Sequence, residues 1–199
     1  SFLSQRPELS YIREEGDVVV MGGGTTVEDV RRSAVFQTIF PDTVRNMTLV
    51  SSTIMRNRAT IAGNIVNASP IADMAIMLLV LGCSLDIEAH DGKKREVRLD
   101  ALYKGYKQLD LLPGELITAI RFPRPGASSR YSFEKVSQRE FLDIASANTA
   151  LLVGTDGKTI TRAVVSAGGV GPVPMLLTKT GDALAGKPLA PATIRAAAA

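Results

Sequence analysis

The stretch Pro123-Arg124-Pro125-Gly126-Ala127-Ser128-Ser129 divides this chain of 199 residues. Two prolines, a glycine and two serines without large apolar side chains cannot continue a strand or a helix, so the stretch reads as a linker. It separates a first unit at 1–123 from a second at 130–199, with 124–129 between them, and the length leaves each unit room for its own core. Before the linker, Val18-Val19-Val20-Met21 follows a charged turn at Glu14 to Asp17, and Val27 to Ser33 reads as a helix capped by Thr25 or Thr26. Residues 34–53 suggest one short helix and an irregular approach. Met74 to Leu81 reads as a buried helix, Ser84 to Ala89 and Lys94 to Leu99 form a hairpin, 100–108 suggests a helical turn, and Leu116 to Phe122 is a strand. After the linker, Arg130 to Ser137, Ile144 to Val153 and Ile160 to Ala167 alternate as strands, and a closing helix starts near Thr178 as cap and stops at Gly186-Lys187-Pro188. Short strands mixed with a few helices, with no regular βαβ repeat, predict an α+β fold.

Composition excludes several function classes. The net charge is only +3 and Lys and Arg are scattered, so no nucleic-acid footprint is present. The longest apolar run, Met74 to Leu81, falls far short of the roughly 20 residues of a membrane span. No charged-then-apolar leader directs export, so a cytoplasmic location is expected. The single Cys83 rules out an internal disulfide and any all-Cys metal cluster, and its apolar neighbours make it a core thiol. The single His90 sits at an Asp-Gly turn, which argues against a Ser-His-Asp hydrolase or a histidine metal site. A chain so poor in acid–base groups must borrow its chemistry from a cofactor or share it.

The segment Thr60-Ile61-Ala62-Gly63-Asn64-Ile65-Val66-Asn67-Ala68-Ser69-Pro70-Ile71-Ala72-Asp73 is the candidate site. It places glycine, two asparagines, serine, proline and aspartate between two strongly apolar stretches. Glycine lets backbone approach a ligand, and Asn and Ser supply donors that can cup an anion such as a diphosphate. A polar loop feeding a helix presents free N–H groups to such an anion. The plain alternative is a capped turn with Asp73 as N-cap. Gly22-Gly23-Gly24-Thr25 lies between a strand and a helix but lacks the dinucleotide spacing, so it reads first as a structural turn.

The run from Ile54-Met55-Arg56-Asn57-Arg58-Ala59 through Asp73 resembles the flavin loop of the FAD-binding medium subunit of molybdenum hydroxylases, the family of carbon monoxide dehydrogenase flavoproteins and the flavin segment of xanthine dehydrogenase. Ala62 stands where that family has the first glycine of a pair. Phe133 to Lys135, Ser137, Arg139 and Asp143 to Ala145 resemble the small carboxy-terminal domain of the same flavoproteins. The resemblance extends from about residue 8 to about residue 188, and it implies the second lobe of a two-subdomain FAD-binding fold of the vanillyl-alcohol-oxidase type followed by that domain.

What the resemblance implies for the site is specific. Thr60 would bond a phosphate, Gly63 and Asn64 would approach it by backbone, and Asp73 would bond ribityl or ribose hydroxyls. Ala68, Ser69 and Ile71 would pack near the flavin, and Ile117 would offer a backbone contact. Lys135 would stand by the flavin pyrimidine carbonyl, against the plain reading of a solvent-facing lysine on a strand. Arg56 and Arg58 are either phosphate partners or surface charges. The family's earlier glycine-glycine-threonine loop, on an amino-terminal subdomain, has no counterpart in this sequence, so weak or no retention of FAD by the 199 residues alone is expected. The implied role is electron transfer. A molybdopterin large subunit and a 2Fe-2S small subunit would deliver electrons, and FAD would pass them to an acceptor. A non-catalytic assembly module that lost its flavin and a stand-alone flavoprotein are the alternatives.

Overall fold

Two main antiparallel sheets share one hydrophobic core. A computed structural model describes residues 6–198, so residues 1–5 and 199, at the outer ends of the two expected units, lie outside the described residues. In the first unit β1 (Ile12–Glu15) and β2 (Val18–Gly22) turn around Gly16, which takes φ +60°. Together with β3 (Ser84–Ala89), β4 (Lys94–Arg98) and β7 (Glu115–Pro123) they form a five-stranded sheet in the order β1-β2-β7-β3-β4. Cross-strand register sets Val19 opposite Phe122, Met21 and Leu85 opposite Ile120, and Ile87 opposite Ile117. All seven of these side chains are at most 1% exposed, which makes this the core face. On the other face Arg121 bonds Asp86 at 2.7 Å and Glu15 at 3.0 Å.

Between β2 and β3 the chain runs through α1 (Val27–Arg32), α2 (Ala34–Ile39), α3 (Thr43–Thr48), α4 (Thr53–Arg56), α5 (Ile61–Val66) and α6 (Asp73–Leu79). Thr26 caps α1, and Asp29 answers it from the third helical position in a reciprocal capping box. In place of the single short helix expected at 34–53 stand α2 and α3, with α4 starting at Thr53, and Ser33 and Ser52 each accept a backbone N–H three residues on to start α2 and α4. The expected loop at 60–73 is also largely helical. Thr60 caps α5, and Ile61, Ala62 and Ile65 turn inward at helical spacing while Gly63 and Val66 face outward. The N-cap of α6 is Ala72, not Asp73, and Asp73 is its first residue. Met74 to Leu79 are all buried, each worth roughly 1.5–3 kcal/mol of burial for the larger side chains.

After the β3–β4 hairpin come α7 (Leu99–Leu102) and a small hairpin of β5 (Tyr103–Gly105) and β6 (Gln108–Leu109). The second unit is a four-stranded sheet, β11-β10-β9-β8, built from β8 (Ser129–Val136), β9 (Ala147–Thr155), β10 (Ile160–Gly168) and β11 (Met175–Leu176). α8 (Thr178–Leu184) packs on β10, and its N-cap is Leu177, so Thr178 lies one residue inside it. α9 (Pro191–Ala198) follows, signalled only by a first-turn proline and a run of alanines.

The second sheet lies against α6, which packs on both β9 and β10. Ser166 Oγ donates to the Ile76 carbonyl at 2.7 Å, and the Tyr131 hydroxyl to the Met77 carbonyl at 3.4 Å. Phe40 of the first unit packs on Tyr131 of the second, with 4.8 Å between ring centroids and the rings tilted by 54°.

The glycine run at 22–24 is a structural turn. Gly23 N–H donates to Thr118 O at 2.8 Å, and a Cβ on Gly23 would lie 2.1 Å from Ile117 O. Gly23→Ala therefore forces β2 and β7 apart at that point. A loss of about 1–3 kcal/mol is expected in urea unfolding, whereas an unchanged midpoint would show that the turn relaxes freely.

Candidate functional site

Thr60 organises the start of the site. Its hydroxyl accepts the Gly63 N–H at 3.0 Å and its carbonyl accepts the Asn64 N–H at 3.0 Å. Thr60 also bridges Thr26, with Val27 N–H donating to Ala59 O at 3.0 Å and Ile61 N–H to Thr25 O at 2.9 Å. The beginnings of α1 and α5 are thus stitched side by side. Ile117 joins them from β7, since Gly23 sits between its carbonyl and Ala62. The carboxy-terminal end of α5 is held from the β5–β6 hairpin. The Tyr103 hydroxyl donates to Ile65 O at 3.3 Å, burial pushes that phenol's pKa up, and the Lys107 ammonium donates to the Asn67 backbone carbonyl.

The chain then turns sharply. Ala68 is buried and adopts φ +49°, a left-handed conformation that costs a residue with a Cβ roughly 1–2 kcal/mol. Ser69 closes the turn, accepting Ile71 N–H on its hydroxyl at 3.4 Å and Ala72 N–H on its carbonyl at 3.1 Å. Asp73 follows with both carboxylate oxygens engaged. Lys135 Nζ donates to Oδ2 at 2.7 Å and Asn148 Nδ2 to Oδ1 at 2.6 Å. The side chains of Lys135 and Asp73 are only 5% and 11% exposed, so Lys135 is not a solvent-facing lysine. Lys135 also donates to Leu49 O at 3.0 Å, and Asn148 to Ile71 O at 3.2 Å. A cleft of about 440 Å³ opens beside Lys135, with Thr48, Leu49, Ser137, Arg139 and Phe141 in its walls.

One of the two arginines goes elsewhere. Arg56 is neither a phosphate partner nor a surface charge, because it is buried against Glu28 at 3.2 Å. Arg58 lies exposed. Asn148 carries no signal in the sequence, because it is an inward position of β9 and nothing local distinguishes it from a packing residue.

Polar ligand chemistry fits the first turn of α5. Gly63 is exposed and bare, and a Cβ there would lie 2.8 Å from Thr60 Oγ1. Asn64 Oδ1 is buried without a protein partner. Such an amide can accept from a sugar hydroxyl or, turned over, donate to a phosphate. Among the described residues no group of three His, Cys, Asp or Glu could hold a metal ion, and burial pushes the Cys83 thiol pKa far up. No helix among them is long and apolar enough to cross a membrane.

A family described as the FAD binding domain in molybdopterin dehydrogenase matches residues 2–125. The chain belongs to this family. A second family, the CO dehydrogenase flavoprotein C-terminal domain, matches residues 132–199. The carbon monoxide dehydrogenase medium chain of Afipia carboxidovorans is 31% identical over 92% of this chain and 62% of its own length. The caffeine dehydrogenase subunit beta of a Pseudomonas species is 27% identical over 92% of this chain and 61% of its own length. The chain therefore spans somewhat less than two thirds of these relatives. A solved carbon monoxide dehydrogenase from Hydrogenophaga pseudoflava superposes with a TM-score of 0.90 at 29% identity, covering 96% of this chain and 66% of that one. The α+β architecture, with a flavin-family unit followed by a small sheet domain, is the architecture of that structure.

Proposed function

We propose that this chain holds FAD as the electron-transfer part of a molybdenum hydroxylase, with molybdopterin and 2Fe-2S clusters carried by a large and a small partner subunit. The observation that carries the reading is the buried Asp73–Lys135 pair at the start of α6. Its cation, on β8, lines a cleft, and its anion stands at the end of a loop whose family binds FAD. Bound FAD supplies the chemistry, taking up electrons and handing them on.

The chain's own residues bind and orient. The Thr60 hydroxyl and the Asn64 side-chain amide would hold the diphosphate at the first turn of α5, above the bare Gly63, because the Gly63 and Asn64 N–H groups already bond Thr60. Asp73 accepts from ribityl or ribose hydroxyls on the lone pairs that Lys135 and Asn148 leave free, since a carboxylate offers about four. The Lys135 ammonium, held by Asp73 and Leu49 O, would face the flavin pyrimidine carbonyl and favour negative charge there. Ser69 and Ile71, both half-buried, would pack beside the ring, whereas Ala68 and Ile117, 2% and 1% exposed, shape the turn and the strand beneath it.

Gly63→Ala separates this role from folding. Alanine gains about 1 kcal/mol of helix propensity, offset by the displaced Thr60 cap, worth about the same. Stability is expected to stay within about 0.5 kcal/mol while FAD affinity falls roughly tenfold, because a methyl group now covers the backbone that approaches the phosphate. Flavin fluorescence titration of the natively purified protein reads this directly. A colourless protein that copurifies with neither iron–sulfur nor molybdopterin absorbance would overturn the proposed function.

A further inference from the structure

Lys135, Asn148 and Gly168 stand opposite one another on β8, β9 and β10, so they share one face of the second sheet. That face packs on α6, and this row meets its first residue, Asp73. Asn148 is 3% exposed. Its Nδ2 has two partners, Asp73 Oδ1 at 2.6 Å and Ile71 O at 3.2 Å. Both are pure acceptors, which settles the orientation of the amide. Its Oδ1 has no hydrogen-bond partner and lies over Gly168, where a Cβ would stand 2.2 Å away. The same Cβ would lie 2.8 Å from Pro70 O, and Gly169, at φ +81°, donates its N–H to that carbonyl at 3.2 Å. The glycine pair at 168–169 is therefore a seat for the Asn148 amide and for the Pro70–Ile71 turn.

We propose that Asn148 is a positioning residue of the flavin site, which fixes the Asp73 carboxylate and the Ile71 carbonyl through its amide, with Gly168 as the bare surface that lets the amide lie there. The inference rests on the proposed function above. Packing alone does not require an amide at this position. The next inward residue of the same strand, Ala150, fills its slot with a methyl group and leaves no acceptor unpaired. Lys135 alone would leave the Asp73 carboxylate free to turn about its last bond. Asn148 on the second oxygen removes that freedom, and with it the spread of directions in which the remaining lone pairs point. The carboxy-terminal sheet thereby contributes to the flavin site through a residue that need not touch the flavin.

The test uses the natively purified complex with its partner subunits, stripped of flavin and titrated with FAD, as parent, Asn148→Ala and Asn148→Asp. Asn148→Ala is expected to raise the FAD dissociation constant about tenfold and to shift the flavin midpoint potential. Asn148→Asp keeps the shape but sets a second carboxylate against Asp73. The charged groups facing it are Asp73 of α6 and Lys135 of β8; β9 and β10 present none to it. Two adjacent carboxylates share a proton readily, so this variant is expected to bind FAD poorly near pH 8 and to recover as the pH is lowered to about 6. The parent should show no such recovery. Variants that melt earlier yet keep the parent's dissociation constant, potential and pH profile would overturn the inference and leave the proposed function standing. A parent protein that takes up no FAD would overturn both.

Discussion

Glu28→Ala is expected to cost about 3–5 kcal/mol of stability, as breaking a buried ion pair from one side does. Glu28 is 2% exposed and takes Arg31 at 2.6 Å, Arg32 at 3.0 Å and Arg56 at 3.2 Å. Arg56 is itself buried and donates to Ser51 O at 2.9 Å, Val50 O at 3.2 Å and Thr53 Oγ1 at 2.9 Å. One carboxylate and one guanidinium thus tie α1 to the 48–53 stretch and to α4, the chain that leads into Thr60. Without Glu28, the Arg56 charge is left among carbonyls. The same cluster sets an acid limit. Hydrogen bonding from Arg31, then from Arg56, holds the Glu28 carboxyl down to about 2 from an ordinary 4.5, against the opposing effect of burial. A folded pKa below the unfolded one means that this stabilisation is complete above about pH 4.5 and is lost as the pH falls toward 2. Arg95 and the Leu112 N–H hold Glu115 down to about 2 as well. Glu28→Gln should therefore flatten only part of the fall in urea midpoint between pH 7 and pH 3. Parallel falls in parent and variant would show that Glu28 is not the titrating group.

The elements that were legible in the sequence are those whose pattern is local. The β3–β4 hairpin and β8 alternate on their own residues, and β2, β7, β9 and β10 are largely apolar, β-branched runs bounded by turn residues. α1 carries its cap and its answering Asp29 within four positions. α5 was not legible as a helix, because Gly63, Asn64 and Asn67 read as loop while the inward stripe of Ile61, Ala62 and Ile65 shows only against a core. The candidate site follows the same division. Thr60, Gly63, Asn64 and Asp73 lie in one motif. The partners of Asp73 come from 62 and 75 residues further on. Lys135 was found through a second resembling motif, whereas Asn148 depends on strand register and on the bareness of Gly168, which no local pattern encodes. Arg56 was misjudged for a related reason. A charge is assigned to the surface by default, and only Glu28, 28 positions away, makes its burial affordable.

The second large effect lies at the pair that joins the two sheets. Asp73→Leu should cost about 3–5 kcal/mol, since it leaves the Lys135 ammonium, 5% exposed, with Leu49 O as its remaining partner. Lys135→Met should cost less, because Asn148 still donates to the abandoned carboxylate. The informative case is the double variant. Buried ion pairs replaced by apolar residues of similar volume are often no less stable than the parent, and Asn148 keeps Ile71 O as an acceptor and is not orphaned. Asp73→Leu combined with Lys135→Met is therefore expected to recover to within about 2 kcal/mol of the parent in urea unfolding. FAD binding should not recover with it, because both the hydroxyl acceptor and the cation beside the pyrimidine are gone, and a loss of at least about a hundredfold in affinity is expected. A double variant that is stable and still binds FAD like the parent would confine the pair to holding the sheets together. A stable double variant without FAD shows the same two side chains serving both tasks: they close the junction between the units, and they present their remaining hydrogen-bonding capacity to the cofactor.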